Sequence, residues 1–178
     1  RKKTVILGVT GSIAAYRACE IIRRLQDAGC AVKVVMTKEA EAFISPLTFA
    51  ALSGQCVYKD MFDAPGDEWS DSHVGLAEEA SALLIAPATA NIIGKIANGI
   101  ADDLLTCVAM ATKSPVIMAP AMNKGMYSNR ILQANIERLK KHSVKIVGPA
   151  KGKLACGSHG EGRLAAVEDI VKAVKKAL

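Results

Sequence analysis

The chain of 178 residues is 51% hydrophobic and 22% charged, the composition of one folded globular domain, so residues 1–178 are read as a single unit. Its net charge of +6 sits at the ends, where Arg1, Lys2, Lys3, Lys172, Lys175 and Lys176 supply it, and with 4% aromatics no base-stacking surface for nucleic acid is visible. No apolar run approaches the roughly 18 residues of a membrane helix, and "RKKTVILGV" lacks a cleavable leader pattern, so the expectation is a cytoplasmic protein with neither nucleic acid nor membrane as partner.

The first predicted strand is Thr4 to Val9, followed by the turn "GVTGSIAA" and a helix with Ala14, Ala18, Ile21, Ile22 and Leu25 on one face, stopped by Gly29. Further apolar, β-branched runs lie at Val32 to Met36, Ala82 to Ala86, Val116 to Ala119 and Val144 to Val147, with a shorter one at Cys56 to Tyr58. They do not alternate in polarity, as expected of strands covered on both faces. A helix is expected within Asn123 to Lys141, with Leu132, Ile136 and Leu139 aligned. Strand and helix alternate throughout, which predicts a doubly wound α/β domain, Rossmann-like or flavodoxin-like, with a mostly parallel six-stranded sheet. The segments 60–71 and 148–162 read as the most irregular.

Ligands of such sheets bind beyond the carboxyl ends of the strands. The turn after the first strand therefore offers the amides near Gly11, Ser12 and Ile13 to a phosphate at a helix start. Its glycines, Gly8 and Gly11 followed by Ala14, do not make a dinucleotide fingerprint, and Thr37 ends the second strand where an acidic residue would hold a ribose diol. A mononucleotide fits better; a turn kept only for tight packing is the plain alternative.

The five cysteines are odd in number, widely spaced and without CxxC, so neither a disulfide framework nor a zinc site is expected, and no other metal. Cys19, Cys30 and Cys107 lie in apolar or alanine-rich stretches and read as buried fillers. Cys156, in "LACGSHGEGR", does not. His73 before a helix reads as either a cap or surface residue or a proton-transfer group, and Asn123 as either an N-cap or a ligand group. Asp102 and Asp103 precede an apolar helical run, where capping or a subunit contact is expected rather than metal.

"SHVGLA" (Ser72 to Ala77), "APATANIIGKIANGIADDLLT" (Ala86 to Thr106), "PAMNKGM" (Pro120 to Met126) and "ACGSHGEGR" occur in that order. Together they resemble the flavin-dependent cysteine decarboxylases, in particular those that act on phosphopantothenoylcysteine in coenzyme A synthesis. The resemblance implies bound FMN, contacted by Gly11, Ser12, Ile13, Thr37, Thr89, Ala90, Asn91 and Ala121. It implies His73, Asn123 and Cys156 as catalytic residues, with Asn123, Lys153, Ala155 and Leu164 on the substrate side. It further implies a homotrimer or a dodecamer of trimers, a site shared between neighbouring subunits, and a phosphopantothenoylcysteine synthetase as a fused or separate partner. Two positions depart from the family pattern: Ile92 stands where threonine is common and Tyr127 where tryptophan is common.

Loss of carbon dioxide directly from a cysteine carboxylate would leave an unstabilised carbanion. The implied route oxidises the thiol-bearing carbon of 4'-phosphopantothenoylcysteine to a thioaldehyde, loses carbon dioxide, and re-reduces the enethiol to 4'-phosphopantetheine. His73 would move protons near neutral pH. Asn123 would hold the carboxylate without a stabilising ion pair, and Cys156, on a glycine-rich flap, would protonate carbon in the final reduction. Lys151, Lys153 and Arg163 suit the substrate's phosphate or carboxylate. The rival readings are a peptidyl-cysteine decarboxylase, which would stop at the enethiol, and a non-catalytic flavin-binding regulatory subunit.

Overall fold

The computed structural model describes residues 2–62, 72–153, 155, 157 and 159–178. In chain order it runs β1 (Thr4–Val9), a 3-10 turn (Ile13–Arg17), α1 (Ala18–Asp27), β2 (Ala31–Met36), a second 3-10 turn (Lys38–Ala42), α2 (Pro46–Ser53) and β3 (Val57–Tyr58). Then come α3 (Ser72–Glu79), β4 (Ala82–Ala88), α4 (Ala90–Ala97), α5 (Leu104–Ala111), β5 (Val116–Pro120), α6 (Lys124–Tyr127) and α7 (Arg130–Lys141). The chain closes with β6 (Lys145–Ile146), β7 (Ala150–Lys153), β8 (His159–Arg163) and α8 (Val167–Ala177).

Strands β1 to β6 form one sheet in the order β3-β2-β1-β4-β5-β6, with every pairing parallel. This is the Rossmann order, whose direction of winding reverses between β1 and β4. The non-alternating sequence of the strands follows from burial on both sides. Val5, Leu7 and Val9 of β1 enter one core with Leu84 and Ala86 of β4, Ile21, Ile22 and Leu25 of α1, Phe49 of α2, and Ile170 and Val174 of α8. Ile6, Leu83 and Ile85 enter the other with Leu76 of α3, Ile92, Ile93 and Ile96 of α4, Leu105 and Val108 of α5, and Leu132 and Ile136 of α7. Each such large side chain removed from water contributes about 1.5–3 kcal/mol before the entropy of ordering is set against it.

Gly8 is the one interruption in β1 with a steric cause: a Cβ there would stand 2.5 Å from Cδ1 of Leu105. The missing side chain lets α5 settle onto the sheet. α5 starts with a capping box, in which the Asp103 carboxylate accepts from the Thr106 amide (2.8 Å) and the Asp103 amide donates to Thr106 Oγ1 (3.1 Å). The capping reading of Asp103 therefore holds. Among the described residues no group of three or more His, Cys, Asp or Glu could hold a metal ion.

The helix expected within Asn123 to Lys141 is α7, which buries Leu132, Ile136 and Leu139; the short α6 precedes it, and Asn129, extended and with Oδ1 accepting from the Ile131 amide (2.9 Å), separates the two. Two expectations need correction. The irregular segment 148–162 contains the antiparallel pair β7–β8, with Ala150 opposite Arg163 and Lys153 opposite His159. Its glycines and charges carry no period-2 apolar signal, so nothing in the residues announced strands. Of the three cysteines expected to be buried, only Cys30 is, while Cys19 and Cys107 are half-buried. Burial nevertheless pushes all three thiols above their ordinary range, which makes them poor thiolate nucleophiles.

The Gly8–Leu105 contact is testable by a double-mutant cycle read by urea unfolding. Gly8→Ala is expected to destabilise by about 1–3 kcal/mol through overpacking. In a Leu105→Ala background the same substitution should cost clearly less, and equal costs in both backgrounds would refute the contact.

Candidate functional site

A cavity of about 1050 Å³ opens at the carboxyl ends of β1, β2, β4 and β5. It lies at the reversal of the sheet, because the chain leaving β1 turns to one face through α1 and the chain leaving β4 turns to the other through α4. Every residue assigned above to FMN lines it, from Gly11, Ser12 and Ile13 through Thr37 and Thr89 to Asn91 and Ala121, with Ala90 between. So do the substrate-side residues Asn123, Lys153, Ala155 and Leu164.

Two helix starts face the cavity. Ser12 caps the first 3-10 turn, its hydroxyl accepting from the Ala14 amide (3.2 Å). Thr89 caps α4, its hydroxyl accepting from the Ile92 amide (3.3 Å). Helix starts leave first-turn amides without intrahelical partners, and these attract anionic oxygens. Gly11 is required by packing, since a Cβ there would collide with Cβ of Glu39 on the second 3-10 turn.

Thr37, at the tip of β2, has a buried Oγ1 with no hydrogen-bond partner among the described residues. Such an orphaned hydroxyl costs about 1–3 kcal/mol and calls for a ligand partner. Together with the small walls at Ala90 and Ala121 and the two capped helix starts, it fits a flat, phosphorylated ring system of the flavin mononucleotide kind.

The opposite wall is the β7–β8 hairpin. The Met122 amide donates to the Gly162 carbonyl (2.8 Å), and Gly162, at φ +149°, leaves no room for a Cβ against the Met122 carbonyl. This ties the hairpin to the turn that carries Asn123. Asn123 caps α6, its Oδ1 accepting from the Gly125 amide (2.7 Å), so the cap occupies the carbonyl oxygen while the amide nitrogen is the donor a carboxylate would need. Cap and ligand readings use different atoms of one side chain.

Charge in the cavity is uneven. Asp103 lines it, but its carboxylate is committed to the Thr106 amide and to Lys95 Nζ (3.3 Å). Lys95 also pairs with Asp102 (2.8 Å). The hydrogen bond with Asp102, followed by that with Asp103, holds the Lys95 ammonium above its ordinary range, and Lys95 in turn holds Asp102 below the usual carboxylate range. Arg17 is paired with Glu20 (3.4 Å). Lys153 and Arg163, on the hairpin, form no ion pair with a described residue and leave that wall cationic.

Two of the three catalytic expectations are not assembled here. His73 is half-buried in the first turn of α3, a helix packed against α5, and is not among the residues lining the cavity. Cys156 lies outside the described residues. Conversely, the motifs did not single out Thr10, Met122 or Met126, all of which line the cavity. Thr10 was within reach, because it directly follows the tip of β1, where ligand-facing residues are expected. Of the two departures, Ile92 lines the cavity while packing into the core below it, and Tyr127 packs half-buried on the same core.

Comparison with known proteins is consistent along almost the whole chain. The coenzyme A biosynthesis bifunctional protein CoaBC of Bacillus subtilis (strain 168) is 47% identical over 174 residues, covering 98% of this chain and 43% of its own length. The chain thus spans less than half of the curated relatives it matches. Among solved structures, a cysteine-to-serine mutant of PPC decarboxylase complexed with pantothenoylaminoethenethiol superposes with a TM-score of 0.88 at 30% identity, covering 99% of this chain and 98% of that one. The FMN-dependent cysteine decarboxylase SpaF gives 0.85 at 32% identity, covering 98% and 97%. With a cavity suited to a flat phosphorylated ring at its strand tips and the Flavoprotein family model matching residues 1–178, the chain belongs to the Flavoprotein family.

Proposed function

We propose that this chain binds FMN and decarboxylates 4'-phosphopantothenoylcysteine to 4'-phosphopantetheine, as the decarboxylase portion of a coenzyme A biosynthetic protein. The observation that carries the reading is convergence: the cofactor and substrate-side residues named from separate sequence motifs, from Gly11 to Leu164, line one cavity. The 47% identity to CoaBC of Bacillus subtilis supports the choice of substrate.

FMN held here would supply a reversible hydride acceptor, which would let the thiol-bearing carbon reach the thioaldehyde level so that sulfur can accept the electron pair left by carbon dioxide. The chain's own residues do the rest. Thr37 Oγ1, the Ser12 and Thr89 turns and the amides of both helix starts orient the cofactor. The Asn123 amide holds the substrate carboxylate without the charge pairing that would stabilise the reactant. Arg163 and Lys153 hold the phosphate. Cys156 Sγ–H delivers the proton to carbon when the enethiol is reduced, a task that requires the thiol form. His73 takes the thiol proton as the adjacent carbon gives up its hydride, acting as the base of the oxidation step.

Because His73 does not line the cavity of its own chain, the reading assigns it to the cavity of a neighbouring subunit in a homotrimer. A phosphopantothenoylcysteine synthetase, fused or separate, would supply the substrate. No described helix is long and apolar enough to cross a membrane, and the reading assigns a cytoplasmic location.

Thr37→Val tests the cofactor reading. The ligand-free protein should gain about 1 kcal/mol in unfolding free energy, while FMN affinity measured by fluorescence quenching falls about five-fold. A variant that loses stability and binds FMN as before would contradict it. His73→Asn should remain yellow as purified and lose carbon dioxide release by at least about a hundred-fold; undiminished release would remove His73 from the reaction. Cys156→Ser should still release carbon dioxide but accumulate the enethiol, detected by product mass, and a normal yield of 4'-phosphopantetheine would reassign the final proton.

A further inference from the structure

Thr10 is 1% exposed and lines the cavity at the tip of β1. Its hydroxyl is engaged as both donor and acceptor by the other side of the sheet reversal: Oγ1 donates to the Pro87 carbonyl (2.6 Å) and accepts from the Thr89 amide (3.2 Å). Its own carbonyl accepts from the Ser12 amide (2.9 Å). One residue therefore touches both helix starts that face the cavity. The carbonyl side steers Ser12, the cap of the first turn, and the hydroxyl steers Thr89, the cap of α4.

We propose that Thr10 is a positioning residue for the cofactor, a buried hydroxyl bridge that sets the spacing between the two capped helix starts. The physical need is specific to this place. β1 and β4 pair with one another through Gly8 and Ile85; β1 ends at Val9 and β4 at Ala88, and from there their chains leave for opposite faces of the sheet. Past that point the ladder no longer holds them together. Without the hydroxyl, the buried Pro87 carbonyl and the part-buried Thr89 amide would lose this partner at the rim of a crevice, and unpaired groups of this kind are costly. The hydroxyl, which can donate and accept at once, satisfies both and fixes the distance across the crevice. Hydrogen bonds in an enclosed site weaken steeply with misplacement, so a shift of one helix start should be read as lost phosphate and ring contacts.

This inference rests on the cavity being the FMN site, and the experiment separates the two. Apo-protein carrying Thr10→Ser, Thr10→Val or Thr10→Ala is titrated with FMN alone, following fluorescence quenching and the visible absorption and circular dichroism of the bound flavin. Thr10→Ser keeps the bridge and is expected within about two-fold of the wild-type Kd, with an unchanged spectrum. Thr10→Val, of equal shape without the hydroxyl, is expected to bind at least about ten-fold more weakly, with altered flavin dichroism. If Thr10→Val does not fold, the Ser and Ala variants carry the same contrast. Equal affinity and equal spectra for the Ser variant and a hydroxyl-free variant would overturn the role of Thr10. Absence of FMN binding by the wild-type protein itself would instead overturn the cofactor reading.

Discussion

The structure depends on a parallel sheet buried on both faces whose winding reverses between β1 and β4. Burial on both faces keeps the central strands β1 and β4 buried along their whole length, which leaves their tips as the place for ligand chemistry. Reversal of winding then sends neighbouring chains apart, because the crossover from β1 serves the face built by α1, α2 and α8 and that from β4 the face built by α3, α4, α5 and α7. The crevice is thus a consequence of covering both faces. What has to be added is a way of satisfying the backbone groups at its edges, and the Thr10 hydroxyl and the Ser12 and Thr89 caps do this within a stretch where no ladder is available.

The cavity has two chemically different walls. One is made of strand tips and helix starts on the rigid core, with small side chains and hydroxyl groups. The other is the β7–β8 hairpin, joined to the Asn123 turn by the Met122 amide and kept close by the bare Cα of Gly162. The rigid wall suits a cofactor held in one position, whereas the hairpin brings Lys153 and Arg163, which form no ion pair with a described residue, toward whatever lies over that cofactor. Asp103 is prevented from opposing them by its cap and its pairing with Lys95. The division lets a neutral amide, Asn123, sit between a polar cradle and a cationic lip.

Much of the core was legible because it follows from short-range physics. The β-branched runs beginning at Thr4, Val32, Ala82 and Val116 are strands, and Ile21, Ile22 and Leu25 share one helix face because their spacing matches the helical period. The hairpin was not legible, since a strand pair of Lys, Gly and Glu is held by its register and by the turn it leans on rather than by an apolar face. The break between α6 and α7 escaped for a related reason: Asn129 is unremarkable in a helical pattern until its side chain is seen capping Ile131. Cys19 and Cys107 reside in apolar stretches, yet how far each thiol is covered depends on which helix packs over it.

Local chemistry in the chain determined the alternation of strands and helices, the placing of small and hydroxyl residues at strand tips, and the motifs that resemble flavin-dependent decarboxylases, since each needs only neighbours in sequence. Tertiary structure alone decided that Gly11, Thr37, Thr89, Ala121 and Leu164 share one cavity, that Thr37 Oγ1 has no partner among the described residues, and that Thr10 bridges to residues 77 and 79 positions away. It also decided that His73 does not line that cavity. The reason is that strand order is set by packing helices on both faces of the sheet, and the distances across a crevice follow from that order rather than from any spacing along the chain.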